Sequence, residues 1–115
     1  MKDIGLAPHE LDLLQDVFRR FPAISEVTLY GSRAKGTYRP ESDVDLALIG
    51  VEDDLQAEAV AGELDELPLP YRFDVKAYSR IKYGPLREHI ARVGVVLYRQ
   101  ESSVKDMERP LKEAG

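Results

Sequence analysis

Apolar residues recur along this chain with two different periods, and the switches between them mark out the elements. Leu11, Leu14, Phe18 and Phe21 follow helical spacing behind Pro8, a residue suited to a first helical turn, and Pro22 closes the segment. Glu10 and Asp12 sit near the end of that helix where the macrodipole favours anions. Residues 26–30 (Glu-Val-Thr-Leu-Tyr) are rich in β-formers and stop at Gly31, which predicts a strand. Residues 43–49 (Asp-Val-Asp-Leu-Ala-Leu-Ile) alternate most clearly, with Val44, Leu46 and Leu48 toward one side and Asp43, Asp45 and Ala47 toward the other. Residues 71–77 alternate again, with Phe73, Val75 and Ala77 opposite Asp74 and Lys76. A helix of imperfect pattern is predicted over 53–67, ended by Pro68 and Pro70. Pro85 to Val93 reads as a last helix with Leu86, Ile90 and Val93 on one face and Gly94 as its stop, and Val95–Tyr98 as a short strand or extended segment.

Between the first two strands, Gly31 to Asp43 holds two glycines, one proline, two serines and three cations, which predicts a loop with one helical turn after Ser32. The order of elements predicts an α/β (α+β) domain, a small mixed β-sheet flanked by helices, with its first two strands as neighbours across the long loop. One domain is expected over 1–99, followed by a charged, loosely ordered tail over 100–115. The apolar faces at Leu86, Ile90, Val93 and Val95–Leu97 read either as core or as partly an interface, with core the default in a domain this small.

Composition narrows the function classes. The chain has 115 residues, enough for one hydrophobic core, and 43% of them are hydrophobic. Sixteen Lys and Arg against twenty-one Asp and Glu leave a net charge of −5, which argues against direct nucleic-acid binding by charge alone. Cysteine is absent, so neither a disulfide framework nor a thiolate metal site is available. The first ten residues lack a basic-then-apolar leader and no apolar run approaches spanning length, so the expected setting is cytoplasmic, without membrane contact.

The candidate chemistry lies on the polar faces of the strands. Residues two apart on a strand project to the same side, with Cα atoms roughly 7 Å apart. Asp43 and Asp45 in that arrangement repel each other and invite a cation. Magnesium suits them, because it prefers oxygen ligands and keeps positions for water and phosphate. Asp74, interrupting another apolar strand, is the candidate third carboxylate of a site for two metal ions. An Asp-x-Asp on an amphipathic strand is more often merely a solvated face. The upstream context shifts that balance: Gly31 and Ser32 directly follow a strand, where main-chain N–H groups and the serine hydroxyl can face an anion.

Gly31-Ser32, ten residues, then Asp43-x-Asp45 resembles the Gly-Ser-x10-Asp-x-Asp signature of the DNA polymerase β-type nucleotidyltransferase superfamily. The fuller run Gly-Ser-Arg-Ala-Lys-Gly, with Ser-Asp-Val-Asp-Leu-Ala-Leu at its end, is most similar to the minimal nucleotidyltransferases. The resemblance extends from the first helix through Tyr98. It implies a nucleotidyltransferase fold, with Gly31 and Ser32 binding the triphosphate of ATP. It implies further that Asp43 and Asp45 bind two Mg2+ ions, and that Asp74 binds the ion that activates an acceptor hydroxyl and takes its proton.

Arg33 and Lys35 join the nucleotide-binding candidates as cations of the same loop, with pairing to Glu41 or exposure to solvent as the alternative for both. Lys76 contacts phosphate or buffers the carboxylates. His9 and His89 read as plain surface helix residues, and Tyr30, Tyr38 and Tyr71 as packing groups. The family resembled commonly pairs with a small helical HEPN protein encoded nearby. In such a pair the nucleotidyltransferase is an antitoxin that transfers AMP to a tyrosine of a ribonuclease toxin. That is the leading expectation. A small-molecule acceptor such as an aminoglycoside, and a non-catalytic NTP- or partner-binding module, are the alternatives.

Overall fold

The alternating segments assemble into one four-stranded sheet in the computed structural model, which describes residues 3–100. In chain order the elements are α1 (Pro8–Arg19), β1 (Glu26–Tyr30), α2 (Gly31–Lys35), β2 (Val44–Ile49), α3 (Asp54–Asp65), β3 (Phe73–Ala77), a single 3-10 turn (Tyr78–Arg80), α4 (Gly84–Val93) and β4 (Val95–Arg99). The strand order is β3-β2-β1-β4, with β1 antiparallel to both β2 and β4 and β2 parallel to β3. The sheet is therefore mixed, and the first two strands are neighbours, as their sequence predicts. The parallel β2–β3 pair needs a crossover, and α3 supplies it.

Alternation fixes what each face buries. Val27, Leu29, Val44, Leu46, Leu48, Phe73 and Ala77 point to one side, against Leu14, Val17 and Phe18 of α1 and Ala57, Val60 and Leu64 of α3. Each such Val, Leu or Phe contributes about 1.5–3 kcal/mol on burial, so this layer is what holds the sheet against its two helices. On the opposite face a smaller cluster of Tyr30, Ala47, Ile81 and Ile90 lies beneath α4. Leu86 packs on that smaller cluster, and Val93, Val95 and Leu97 belong to or pack on the main core. Val96 remains exposed.

The helix starts are satisfied locally. The Ala7 N–H donates to Glu10 Oε1 at 2.9 Å at the head of α1, and Asp53 caps α3 by accepting from the Gln56 N–H at 2.7 Å. Several boundaries differ from the sequence expectation. The helical turn expected after Ser32 begins at Gly31 itself, and the helix expected over 53–67 spans Asp54–Asp65. Asp43 lies just before β2 rather than within it, because pairing with β1 ends at Tyr30 opposite Asp45, where the chain turns into α2. The strand expected from residue 71 starts at Phe73, the partner of Val44. The 3-10 turn, three residues long, carries no periodicity that would reveal it. Beyond Gln100, the tail expected over 100–115 lies outside the described residues.

Candidate active site

Three adjacent strands present their chemistry at one level. Tyr30 of β1 stands opposite Asp45 of β2, and Asp45 opposite Asp74 of β3. Neighbouring strands lie about 4.8 Å apart, so the register alone sets the two carboxylates side by side on the face away from the main core. Gly31 follows Tyr30 with φ +78°, and a Cβ there would collide with Asp45 Oδ2. Only glycine permits this approach of the β1–α2 turn to the carboxylate. Ser32, half-buried, occupies the first turn of α2 beside it. Gly31, Ser32, Asp45 and Asp74 are thus brought together, with exposed Asp43 at the edge leading into β2.

The charges confirm that the group is crowded. Burial pushes the Asp45 carboxyl above the usual range, Asp74 and Asp43 push it further, and Lys76 partly offsets them. Lys76 Nζ lies 2.9 Å from both oxygens of Asp74, which assigns it, in the free chain, to the carboxylates. Among the described residues no three acidic or imidazole groups already converge on one point. The donor chemistry nevertheless fits a hard divalent cation: oxygen-only ligands, two of them in register, and a half-buried carboxylate whose ionised form a cation would favour. Such an ion would replace Lys76 at Asp74.

His89 departs from what the sequence indicated, whereas Tyr30 is the packing group expected of it. His89, expected as a plain surface residue, accepts the Gly31 N–H at its Nε2 (3.1 Å) and meets the Tyr30 ring edge-on with centroids 6.3 Å apart. It comes from α4, 58 residues downstream, and nothing in local spacing announces it. The Tyr30 hydroxyl, 95% of its residue buried, has no hydrogen-bond partner among the described residues, and burial followed by Asp74 and Asp45 raises its proton affinity well above that of an ordinary phenol.

Arg33 is the larger correction. The structure does not bring it to the Gly31 turn. It is 1% exposed, and its guanidinium donates to the carbonyls of Ile4, Gly5, Pro40 and Ser42 at 3.0–3.4 Å. The rings of Tyr38 and Tyr71 cover it at 5.0 and 4.9 Å, so both tyrosines are packing groups as expected. Neither pairing to Glu41 nor solvent exposure describes it; Arg33 ties the N-terminal segment to the loop that leads into Asp43. Lys35 is exposed at the end of α2.

The polymerase beta nucleotidyltransferase family matches residues 13–103, which contain Gly31, Ser32, Asp43, Asp45, Asp74 and His89. This chain belongs to that family, and is a nucleotidyltransferase. Among its relatives, a Haemophilus influenzae protein named "Probable protein adenylyltransferase MntA" is 29% identical over 104 residues, covering 89% of this chain and 90% of that one. A chain from a crystal structure of a toxin–antitoxin with AMP-PNP superposes with a TM-score of 0.64 at 16% identity, covering 90% of this chain and 96% of that chain. A chain from the complex of tri-AMPylated Shewanella oneidensis HEPN toxin with MNT antitoxin superposes with a TM-score of 0.53 at 14% identity, over 90% and 97% of the two chains. At these identities the structural likeness speaks for the nucleotidyltransferase fold.

Proposed function

We propose that this nucleotidyltransferase is a magnesium-dependent protein adenylyltransferase and the antitoxin of a cytoplasmic toxin–antitoxin pair, transferring AMP from ATP to a tyrosine of a small helical HEPN partner. The observation that carries the reading is the register of Asp45 with Asp74, beside the glycine that touches Asp45. The Haemophilus relative, named as an adenylyltransferase, supplies the direction toward a protein acceptor.

In this mechanism Gly31 and Ser32 hold the triphosphate, and Lys35 stands at the rim of the same turn. Asp43 and Asp45 would hold magnesium, with Asp74 completing the carboxylate set. When bound, magnesium would supply charge neutralisation at the phosphates and ease ionisation of the acceptor hydroxyl. Asp74 orients that hydroxyl and takes its proton. Oxygen attack forms the new bond at the α-phosphorus and breaks the bond to the β-phosphate oxygen, so pyrophosphate leaves and AMP remains on the tyrosine. Lys76 occupies Asp74 while the site is free, limiting carboxylate repulsion. The barrier falls through positioning and charge neutralisation.

Incubation with the HEPN protein encoded beside it, labelled ATP and magnesium should label that protein on a tyrosine, located by peptide mass spectrometry. Asp43→Ala with Asp45→Ala should lower labelling at least about a thousandfold, the scale expected when charge-stabilising groups are lost. An unlabelled partner beside a folded, ATP-binding chain would overturn the protein-acceptor reading. Full toxin neutralisation by the double variant would point instead to docking without transfer.

A further inference from the structure

With Arg33 withdrawn beneath the loop, the cradle is left without one of the two cations that its sequence offered, and Lys35 is exposed at the end of α2. The side chain that the structure does place on the Gly31 amide is His89. Its Nε2 accepts that N–H at 3.1 Å, an arrangement that leaves the ring proton on Nδ1. The contact is held from two sides. Tyr30, itself next to Gly31, meets the ring edge-on, and the following residue of α4, Ile90, is buried in the cluster that contains Tyr30. The imidazole is therefore seated at the turn by the packing of α4.

The Gly31 N–H is also the donor that an incoming phosphate would use. A phosphate oxygen taking this amide would face the lone pair of Nε2, which is repulsive as long as the ring proton stays on Nδ1. Protonation of Nε2 turns that repulsion into a charge-assisted hydrogen bond, and the polyanion itself favours the imidazolium.

We propose that His89 is a nucleotide-binding residue: on triphosphate binding it takes a proton from solvent at Nε2, surrenders the Gly31 N–H, and grips the same phosphate oxygen together with that amide. The inference rests on the reading that the triphosphate binds at Gly31 and Ser32. It adds to that reading a cationic ligand from α4 in place of Arg33.

The test uses the full chain and AMP-PNP with magnesium. Calorimetric titration of the wild type should be compared with His89→Ala and His89→Gln, and the ring nitrogens of His89 followed by 15N NMR. His89→Ala should weaken AMP-PNP binding about tenfold, the scale of one charge-assisted hydrogen bond. His89→Gln, whose amide can donate to phosphate, should stay within about threefold of wild type. In steady-state assays the His89→Ala loss should fall mainly on KM for ATP, which a purely structural role for the residue would not single out. The free ring should show Nδ1 protonated alone, and saturating AMP-PNP should protonate both nitrogens. Wild-type affinity in His89→Ala, or a ring that stays neutral at saturation, would overturn the assignment while leaving the cradle intact. Failure of the wild type itself to bind AMP-PNP would overturn the cradle, and the role of His89 with it.

Discussion

Arg33 shows how far a single residue's role depends on contacts that its neighbours in sequence do not reveal. A cation in a glycine-containing loop, directly after Gly31-Ser32, reads as a phosphate ligand. The carbonyls it satisfies come partly from Ile4 and Gly5, on a segment that returns across the molecule. Removing its guanidinium would leave four carbonyls, three of them on half-buried residues, short of a donor. Arg33→Met should therefore cost about 3–5 kcal/mol of stability, measured by urea denaturation. Arg33→Lys should recover little of it, since an ammonium cannot serve four carbonyls between two rings. The aspartates were legible for the opposite reason. The side of Asp45 and Asp74 is fixed by strand alternation, and the Gly-Ser spacing independently singled out Asp43 and Asp45. His89 was illegible because its partner is a main-chain N–H 58 residues away.

Elements were legible where their own periodicity decides them and blurred where a partner does. β1 matches its predicted bounds, whereas β2 and β3 begin only where each finds the other, at Val44 and Phe73. The β1–α2 turn is the element on which the site depends most. Gly31→Ala would place a side chain at φ +78° and against Asp45 Oδ2. The backbone strain alone should cost about 1–3 kcal/mol. Because the collision displaces a proposed magnesium ligand, nucleotidyl transfer should fall by far more than the stability loss explains, at temperatures where the variant remains folded by circular dichroism. At the head of α1, Glu10 sits below its ordinary pKa, held there first by the Ala7 N–H and then by the Tyr71 hydroxyl. Its folded pKa being the lower one, its contribution is complete above the unfolded value near 4.5 and is lost as pH falls through the folded value. The stability gap between wild type and Glu10→Gln should accordingly be constant from neutral pH down to about pH 5 and narrow below it.

At the scale of the whole molecule, the two faces of the sheet carry opposed demands. One is a continuous apolar layer under α1 and α3; the other carries Asp45 and Asp74 in register beside the cluster under α4, with exposed Asp43 just before β2. The composition and strand pattern made the layered architecture readable, but not which end of the second face would stay uncovered. That depended on where Ile81 and Ile90 close over Tyr30 and Ala47. A half-buried carboxylate crowded by two others is a liability in the free chain and an asset once a cation is bound. Asp45→Asn removes one member of the crowd, so the free variant should unfold at a higher temperature than the wild type. A gain of half a kcal/mol would appear as about 2–4 °C in a domain of this size. Magnesium with AMP-PNP should raise the midpoint of the wild type in proportion to its binding, and that of Asp45→Asn hardly at all, so the order of the two reverses with ligand. An Asp45→Asn chain less stable than wild type without ligand would show that the carboxylate is structurally satisfied. The acidic end of the sheet would then not be held in tension for a cation.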